Sequence, residues 1–486
     1  MRIRPIPSTL LATLTAALAL LPLLGRKPLT DWDEAIYAQV SREMLHHSWL
    51  IPHWNTAVWL EKPPLMLWIT AAFFHFFGVT EFWARAASAL SGVAVVGILH
   101  LWLARTRSTL AAWLSTLMLL GTFGFLHSCH TGEMDITLAL CCTIALIGLA
   151  QVEVGHDFGW LLFWAGFALA AMTKGAASVT LPITAAILTL VQRLRLRAPF
   201  LPFFGGLVLC LAIAVPWHLA MLPLFGRGFL REYLGLHILT RATQQIEGHV
   251  TPWWFYLKVL LVAAPPFVLL YPAAIAQALR RNSGLRAFAI FALTTLVFFS
   301  AVQTRLPQYI VPMYPALAAI TAVWLADRVR TILAAPRWKL AAAAVLAALC
   351  IWLTMPARKS LHSATAAGLP ASDSKDSTAL LRNRPQPGVP ESSPLLVWHD
   401  GPLMSMPSIV FYAGRPVEQV QFIPRATWPE PNRYTFNPQP ATEAFAAGPR
   451  LLLVDRALIS EIPSGFLYTP IASHGALEIG ILTINH

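Results

Sequence analysis

Charge is what this sequence has least of. Only 12% of its 486 residues are Asp, Glu, Lys or Arg, while 56% are hydrophobic. A soluble domain carries roughly 25% charged residues, so a chain this long cannot cover a water-facing surface. A large soluble enzyme and a disordered chain are both excluded. Cysteine is scarce too. There are five, each in or beside an apolar segment and none at metal-ligand spacing. They read as small apolar packers, and a disulfide framework is ruled out. No internal repeat is visible. The net charge of +12 would suggest nucleic acid in a soluble protein. In a chain this apolar it asks which side of a bilayer holds the basic residues, and no nucleic-acid partner is expected.

What the sequence does have is apolar runs. A spanning helix needs roughly 20 mostly apolar residues. Runs at 8–25, 85–104, 108–126, 135–151, 158–173, 176–192, 200–222, 253–275, 287–303, 308–326 and 338–355 predict an all-α polytopic membrane protein of about eleven spans. The first run is expected to be retained, although a cleaved signal peptide is the alternative; no small-x-small site precedes Gly25. Basic clusters at Arg2/Arg4, Arg105/Arg107, Arg193/Arg195/Arg197, Arg280/Arg281/Arg286 and Arg328/Arg330/Arg337/Lys339 then share one side, the cytoplasmic one. Segment 64–77 is apolar, but as a helix it would reach only roughly 21 Å. Counting it as a crossing inverts those clusters, so it is expected to lie in the outer interface.

Two pieces are expected to face outward, 26–84 and 357–486. Residues 1–356 form the expected membrane domain, with 26–84 as its outer loop. Segment 357–393, rich in Ser and Pro, reads as a linker. Residues 394–486 predict a small α/β domain with strand-like runs at 395–398, 409–412, 451–454 and 481–484.

The outer loop is charged where an apolar chain has charge to spare only for a reason. Thr30-Asp31-Trp32-Asp33-Glu34 looks like a helix start, with Thr30 as cap and acids facing the positive helix end. Ile36, Val40 and Met44 recur at helical spacing, which predicts an amphipathic helix against the membrane. Asp33 and Glu34 therefore either stabilise that helix or carry chemistry. Glu61-Lys62-Pro63-Pro64 places an acid and a lysine before a second helix start, which suits a phosphate or a plain interfacial anchor. Asp135 stands at the mouth of an apolar span, where an ionised carboxylate is costly without a partner. Lys174, the loop 223–252 with its two histidines, and Arg305-Leu-Pro-Gln-Tyr309 are expected on the same face. Charges from separated segments converging beside an apolar helix fit a lipid phosphate. Arginine and lysine would hold it; carboxylates would bind a metal or take a proton.

Asp33-Glu34-Ala-Ile-Tyr37, Ser41-Arg42-Glu43-Met44, Glu61-Lys62-Pro63-Pro64-Leu65, Thr173-Lys174-Gly175 and Leu306-Pro307-x-Tyr309-x-x-Pro312-x-Tyr314-Pro315 occur in that order. The set, within residues 8–330, resembles the bacterial membrane glycosyltransferases of the GT-C fold. That group includes protein O-mannosyltransferases and the aminoarabinose transferase of lipid A. The resemblance implies an inverting transfer of a sugar from a polyprenyl phosphate to a lipid or protein acceptor, at the periplasmic face of the inner membrane. It implies Asp33 as general base, with Asp135 and Glu34 as further acids. Lys62 resembles the donor-phosphate lysine. Arg241 and Tyr309, with Arg305 and Lys174, are expected near that phosphate. Glu61 and His237 resemble positions that hold a divalent metal ion, Zn, Mg or Mn. Two positions depart from the family pattern: Glu34-Ala35-Ile36-Tyr37 lacks an arginine, and Leu236 stands before His237 where an acid is expected. A lipid-linked sugar flippase is the alternative reading, and a membrane scaffold a third.

Overall fold

In a bilayer each backbone polar group must find its partner inside the protein, and a helix supplies all of them locally. The apolar runs fold accordingly. The structure is a computed structural model. It describes residues 5–192, 199–240, 243, 251–280, 284–333, 372–382, 389–390, 393–398, 407–422, 439–440 and 448–484. Helices α1 (Pro5–Leu20), α2 (Asp33–Glu43), α3 (Leu65–Phe77), α4 (Glu81–Thr106), α5 (Thr109–Gly121), α6 (Phe123–His130), α7 (Asp135–Glu153), α8 (Gly159–Lys174), α9 (Thr180–Val191), α10 (Phe200–Phe229), α11 (Phe255–Ala263), α12 (Tyr271–Arg280), α13 (Arg286–Ala301) and α14 (Met313–Leu333) follow in order. Helices α15 (Ser372–Leu381) and α16 (Pro407–Ala413) lie among the C-terminal strands.

Among the described residues four helical runs are long and apolar enough to cross a membrane: Glu81–Thr106, Asp135–Glu153, Gly159–Val191 and Phe200–Tyr233. Two pairs bent by 67° and 117°, α5 with α6 and α11 with Phe267–Arg280, raise the number to six if each pair is one span. Helices α1, α3 and α13 are apolar but shorter. The two spans expected on either side of Lys174 form one run with a 3-10 stretch at Gly175–Val179. The run expected at 338–355 lies outside the described residues.

The chain divides into two compact units. The first comprises Met1–Leu24, Leu60–Thr70 and Arg85–Ser363. Its core is a continuous apolar cluster that includes Leu99, Phe125, Leu146, Phe163, Phe288 and Tyr314. Helices α7 and α8 pack as a close hairpin. A side chain at Gly166 would stand 2.6 Å from the Ala145 nitrogen and 2.7 Å from the Cys141 carbonyl, so only glycine permits that approach.

The second unit comprises Gly25–Trp59, Ala71–Ala84 and Ala364–His486. The outer loop is thus largely part of the C-terminal body, whereas the sequence assigns it to the membrane domain. Within this unit Asn55 works like a strand residue. Its Nδ2 donates to the Val417 carbonyl at 2.8 Å, and its Oδ1 accepts from the Val417 nitrogen at 2.9 Å. Asn55 and Thr56 have φ of 50° and 68°, and they turn the hairpin of β1 (His53–Trp54) and β2 (Ala57–Val58). The Glu43 carboxylate accepts from both turn nitrogens, at 2.6 and 2.9 Å. Helix α2 is buried almost all round, polar residues Gln39, Ser41 and Glu43 included. It is not the one-sided helix its apolar spacing predicts.

A six-stranded sheet completes the second unit: β3 (Leu395–Trp398), β4 (Val417–Gln421), β5 (Gln439–Pro440), β6 (Arg450–Asp455), β7 (Phe466–His474) and β8 (Leu477–Ile484). Their spatial order is β5-β4-β3-β6-β8-β7. Pairings among β3, β4, β5 and β6 are parallel; β8 pairs antiparallel with β6 and β7. The central strand β3 is buried throughout, as expected of a strand covered on both faces. Two expectations need correcting. The run 409–412 lies in helix α16, not in a strand; a four-residue apolar run does not distinguish the two. The expected linker contains helix α15.

Candidate active site

The α7–α8 hairpin sets an acid and a lysine side by side within the first unit. Asp135 opens α7 and Lys174 closes α8, so each charge also meets the favourable end of its own helix dipole. Lys174 Nζ donates to both Asp135 carboxylate oxygens at 2.8 Å. The two side chains are 12% and 2% exposed. At such burial neither charge is tolerable without the other. The ammonium also stands 5.2 Å from the centre of the Tyr309 ring, a cation–π distance. Tyr309 lies in a short 3-10 helix, Pro307–Ile310, and its ring packs 5.2 Å from that of Phe299.

What stops α8 at Lys174 is Gly175. A Cβ there would lie 2.1 Å from the Tyr233 hydroxyl. That hydroxyl is held by His218 Nε2 at 3.2 Å. His218 Nδ1 is 2.7 Å from the Ala214 carbonyl, so Nδ1 donates there and Nε2 accepts from Tyr233. Tyr233 and His218 escape sequence reading because nothing local marks them; contact with Gly175 does.

The other expected phosphate ligands divide. Arg305 is spent on backbone: Nε and Nη2 donate to the Ser300 carbonyl at 3.1 and 2.9 Å, and Nη1 to that of Thr251 at 2.6 Å. It fastens the turn that leads to Tyr309. Glu61 and Lys62 belong to the first unit and are half-buried in the turn before α3. Arg241 and the side chain of His237 lie outside the described residues. Among the described residues no three His, Cys, Asp or Glu side chains stand together as metal ligands.

In the second unit the helix start differs from its sequence reading. The N-cap of α2 is Trp32, at φ 72°, with no side-chain cap. Thr30 does not cap; it donates from its nitrogen and hydroxyl to Glu34 Oε2, at 2.7 and 2.9 Å. Glu34 is buried and committed to this turn. Asp33, one residue earlier and half-buried, makes no hydrogen bond or ion pair among the described residues. Of the two acids it is the one with a carboxylate left for chemistry.

A cavity of about 500 Å³ opens in the first unit beside the Pro307–Ile310 turn, and its wall includes Phe123, Trp254, Phe255, Val311 and Tyr314. Lys258 also lines it. The sequence hides this lysine inside an apolar run.

The fold is that of the GT-C membrane glycosyltransferases. A crystal structure of ArnT from Cupriavidus metallidurans bound to undecaprenyl phosphate superposes with a TM-score of 0.75, covering 97% of each chain at 20% identity. An Archaeoglobus fulgidus oligosaccharyltransferase in the apo form is more distant, at a TM-score of 0.54 and 14% identity over 85% of this chain and 64% of that one. The family of dolichyl-phosphate-mannose-protein mannosyltransferases matches residues 61–219. In sequence the chain is 30% identical over 328 residues to the undecaprenyl phosphate-alpha-4-amino-4-deoxy-L-arabinose arabinosyl transferase of Erwinia tasmaniensis, across 64% of this chain. It is 34% identical over 306 residues to that of Pseudomonas savastanoi, across 60%. These matches span 58% and 56% of the relatives' own lengths.

Proposed function

We propose that this chain is a glycosyltransferase that moves a sugar from a polyprenyl phosphate to an acceptor at the periplasmic face of a bacterial inner membrane, with inversion. Asp33 carries the reading: its half-buried carboxylate has no partner among the described residues, while neighbouring Glu34 is engaged. With a hydroxyl acceptor, Asp33 accepts its proton. The acceptor oxygen bonds to the anomeric carbon from the side opposite the phosphate. The bond from that carbon to the phosphate oxygen breaks, and the electron pair leaves on the polyprenyl phosphate. A phosphate acceptor needs only orientation. Lys62, with Arg241 and the Tyr309 hydroxyl, would compensate the charge on the departing phosphate.

Asp135 and Lys174 have a different part in this scheme. Their mutual bond fixes the ammonium against the Tyr309 ring and so positions Tyr309. Glu61 and His237 are the residues that would hold a divalent ion. When bound, it would add positive charge near the leaving phosphate. The cavity beside Pro307–Ile310 is apolar enough for isoprenoid or acyl chain. The names of the relatives favour lipid A as acceptor and aminoarabinose as sugar. Mass spectrometry of lipid A, envelope glycans and secreted proteins from cells with and without the chain tests this. A sugar lost from one of them supports transfer. Unchanged glycans, with donor lipid accumulating on the cytoplasmic side, would favour the flippase.

A further inference from the structure

A second cavity lies at the far end of the same helices. Helix α7 is 19 residues long, or about 28 Å at 1.5 Å per residue. Asp135 is at one end. At the other, the last turns of α4 and α7 and the residues after them enclose a cavity of about 660 Å³. Its wall is apolar: Ile98, Leu101, Trp102, Ile147, Ala150 and Val154. Its charged lining is of one sign, Arg105 and Arg107, with His156 the other titratable group. Arg105 is exposed and makes no hydrogen bond or ion pair among the described residues. Arg107 has its Nε buried without a hydrogen-bond partner. Glu153 and Asp327 pull on Arg107 electrostatically, but neither lines the cavity. Two arginines on an apolar wall, with no acid among the lining residues, leave the cavity's positive charge uncompensated from within, and an anion would offset it.

We propose that this cavity binds an anionic phospholipid, with an acyl chain against Ile98, Leu101 and Trp102 and the phosphate between Arg105 and Arg107. Basic pockets between spanning helices take such headgroups. The charge of the lining separates this ligand from a zwitterionic lipid, and the apolar wall separates it from free phosphate. The site lies about one membrane thickness from Asp135, so the lipid belongs to the opposite leaflet. It does not depend on the transfer reaction proposed above.

The test is native mass spectrometry of the full chain in detergent, titrated with phosphatidylglycerol, with phosphatidylcholine of the same chains, and with glycerol phosphate. One phosphatidylglycerol should be retained. Arg105→Gln should weaken it about fivefold, the share of one basic residue near a charged surface. Leu101→Trp, which fills the apolar wall, should weaken it without changing charge. Arg105 is exposed, so its variant keeps the fold, and an unchanged melting temperature without lipid checks that. Equal retention of phosphatidylcholine would overturn the proposal. So would phosphatidylglycerol binding unaltered in both variants. Glycerol phosphate competing at the concentration of whole lipid would make this a free-phosphate site and also overturn it. Failure of sugar transfer would leave all these readings unchanged.

Discussion

Lys174 donates two hydrogen bonds of 2.8 Å to one carboxylate, that of Asp135, while its ammonium also faces the ring of Tyr309. Two residues 39 positions apart are thereby locked at the end of one helical hairpin. Removing one partner leaves the other charged and buried. Asp135→Ala or Lys174→Ala should each cost about 3–5 kcal/mol, read as a lowered melting temperature in detergent. The double variant Asp135→Leu/Lys174→Met should recover much of that loss. If the single variants melt like the wild type, the pair is not buried as described.

Gly175 and Tyr233 should behave as a coupled pair. Gly175→Ala places a methyl group 2.1 Å from the Tyr233 hydroxyl, and overpacking of this kind costs about 1–3 kcal/mol. Tyr233→Phe removes the clashing oxygen, so the double variant should be more stable than Gly175→Ala alone. Strictly additive losses in a double-mutant cycle would contradict the contact.

Asn55 ties its hairpin to the C-terminal sheet through two bonds to Val417. Asn55→Ala loses both and puts alanine at φ 50°, a region it disfavours. The buried Val417 groups left without partners should cost about 1–3 kcal/mol. Limited proteolysis should then cut the C-terminal unit faster, with the membrane helices still protected. Equal cleavage rates would refute this tie.

Glu34 and Asp33 should separate by phenotype. Glu34→Ala removes the acceptor of two Thr30 donors and should cost about 1–2 kcal/mol of stability. Glu34→Gln keeps an acceptor oxygen and should retain most activity. Full inactivation by Glu34→Gln, with no loss of stability, would move the chemistry from Asp33 to Glu34.

Much of this arrangement is legible in the sequence. The spacing of apolar runs yields the helices, and the position of Asp135 at the mouth of one marks it as needing a partner. That partner is Lys174, 39 residues on. Strands β3, β6 and β8 announce themselves as short apolar runs. Three features were not legible, each for a physical reason. The outer loop joins the C-terminal body through long-range bonds such as Asn55–Val417 and Arg42 to the Phe411 carbonyl, which leave no periodicity behind. The start of α2 rests on a positive φ at Trp32, which favours glycine or asparagine over tryptophan. Arg305 matches a motif by type, but whether a guanidinium faces a ligand or three backbone bonds depends on how neighbouring turns fold.

The proposed chemistry stands on Asp33 as the base of a sugar transfer. The most direct measurement is transfer from a synthetic undecaprenyl-phosphate sugar to acceptor lipid or peptide hydroxyls by the purified full chain in nanodiscs, wild type against Asp33→Asn. The wild type should form product and the variant should fall by about 10²–10⁴-fold, at an unchanged melting temperature. Equal rates in the two proteins with a hydroxyl acceptor would contradict Asp33 as the base.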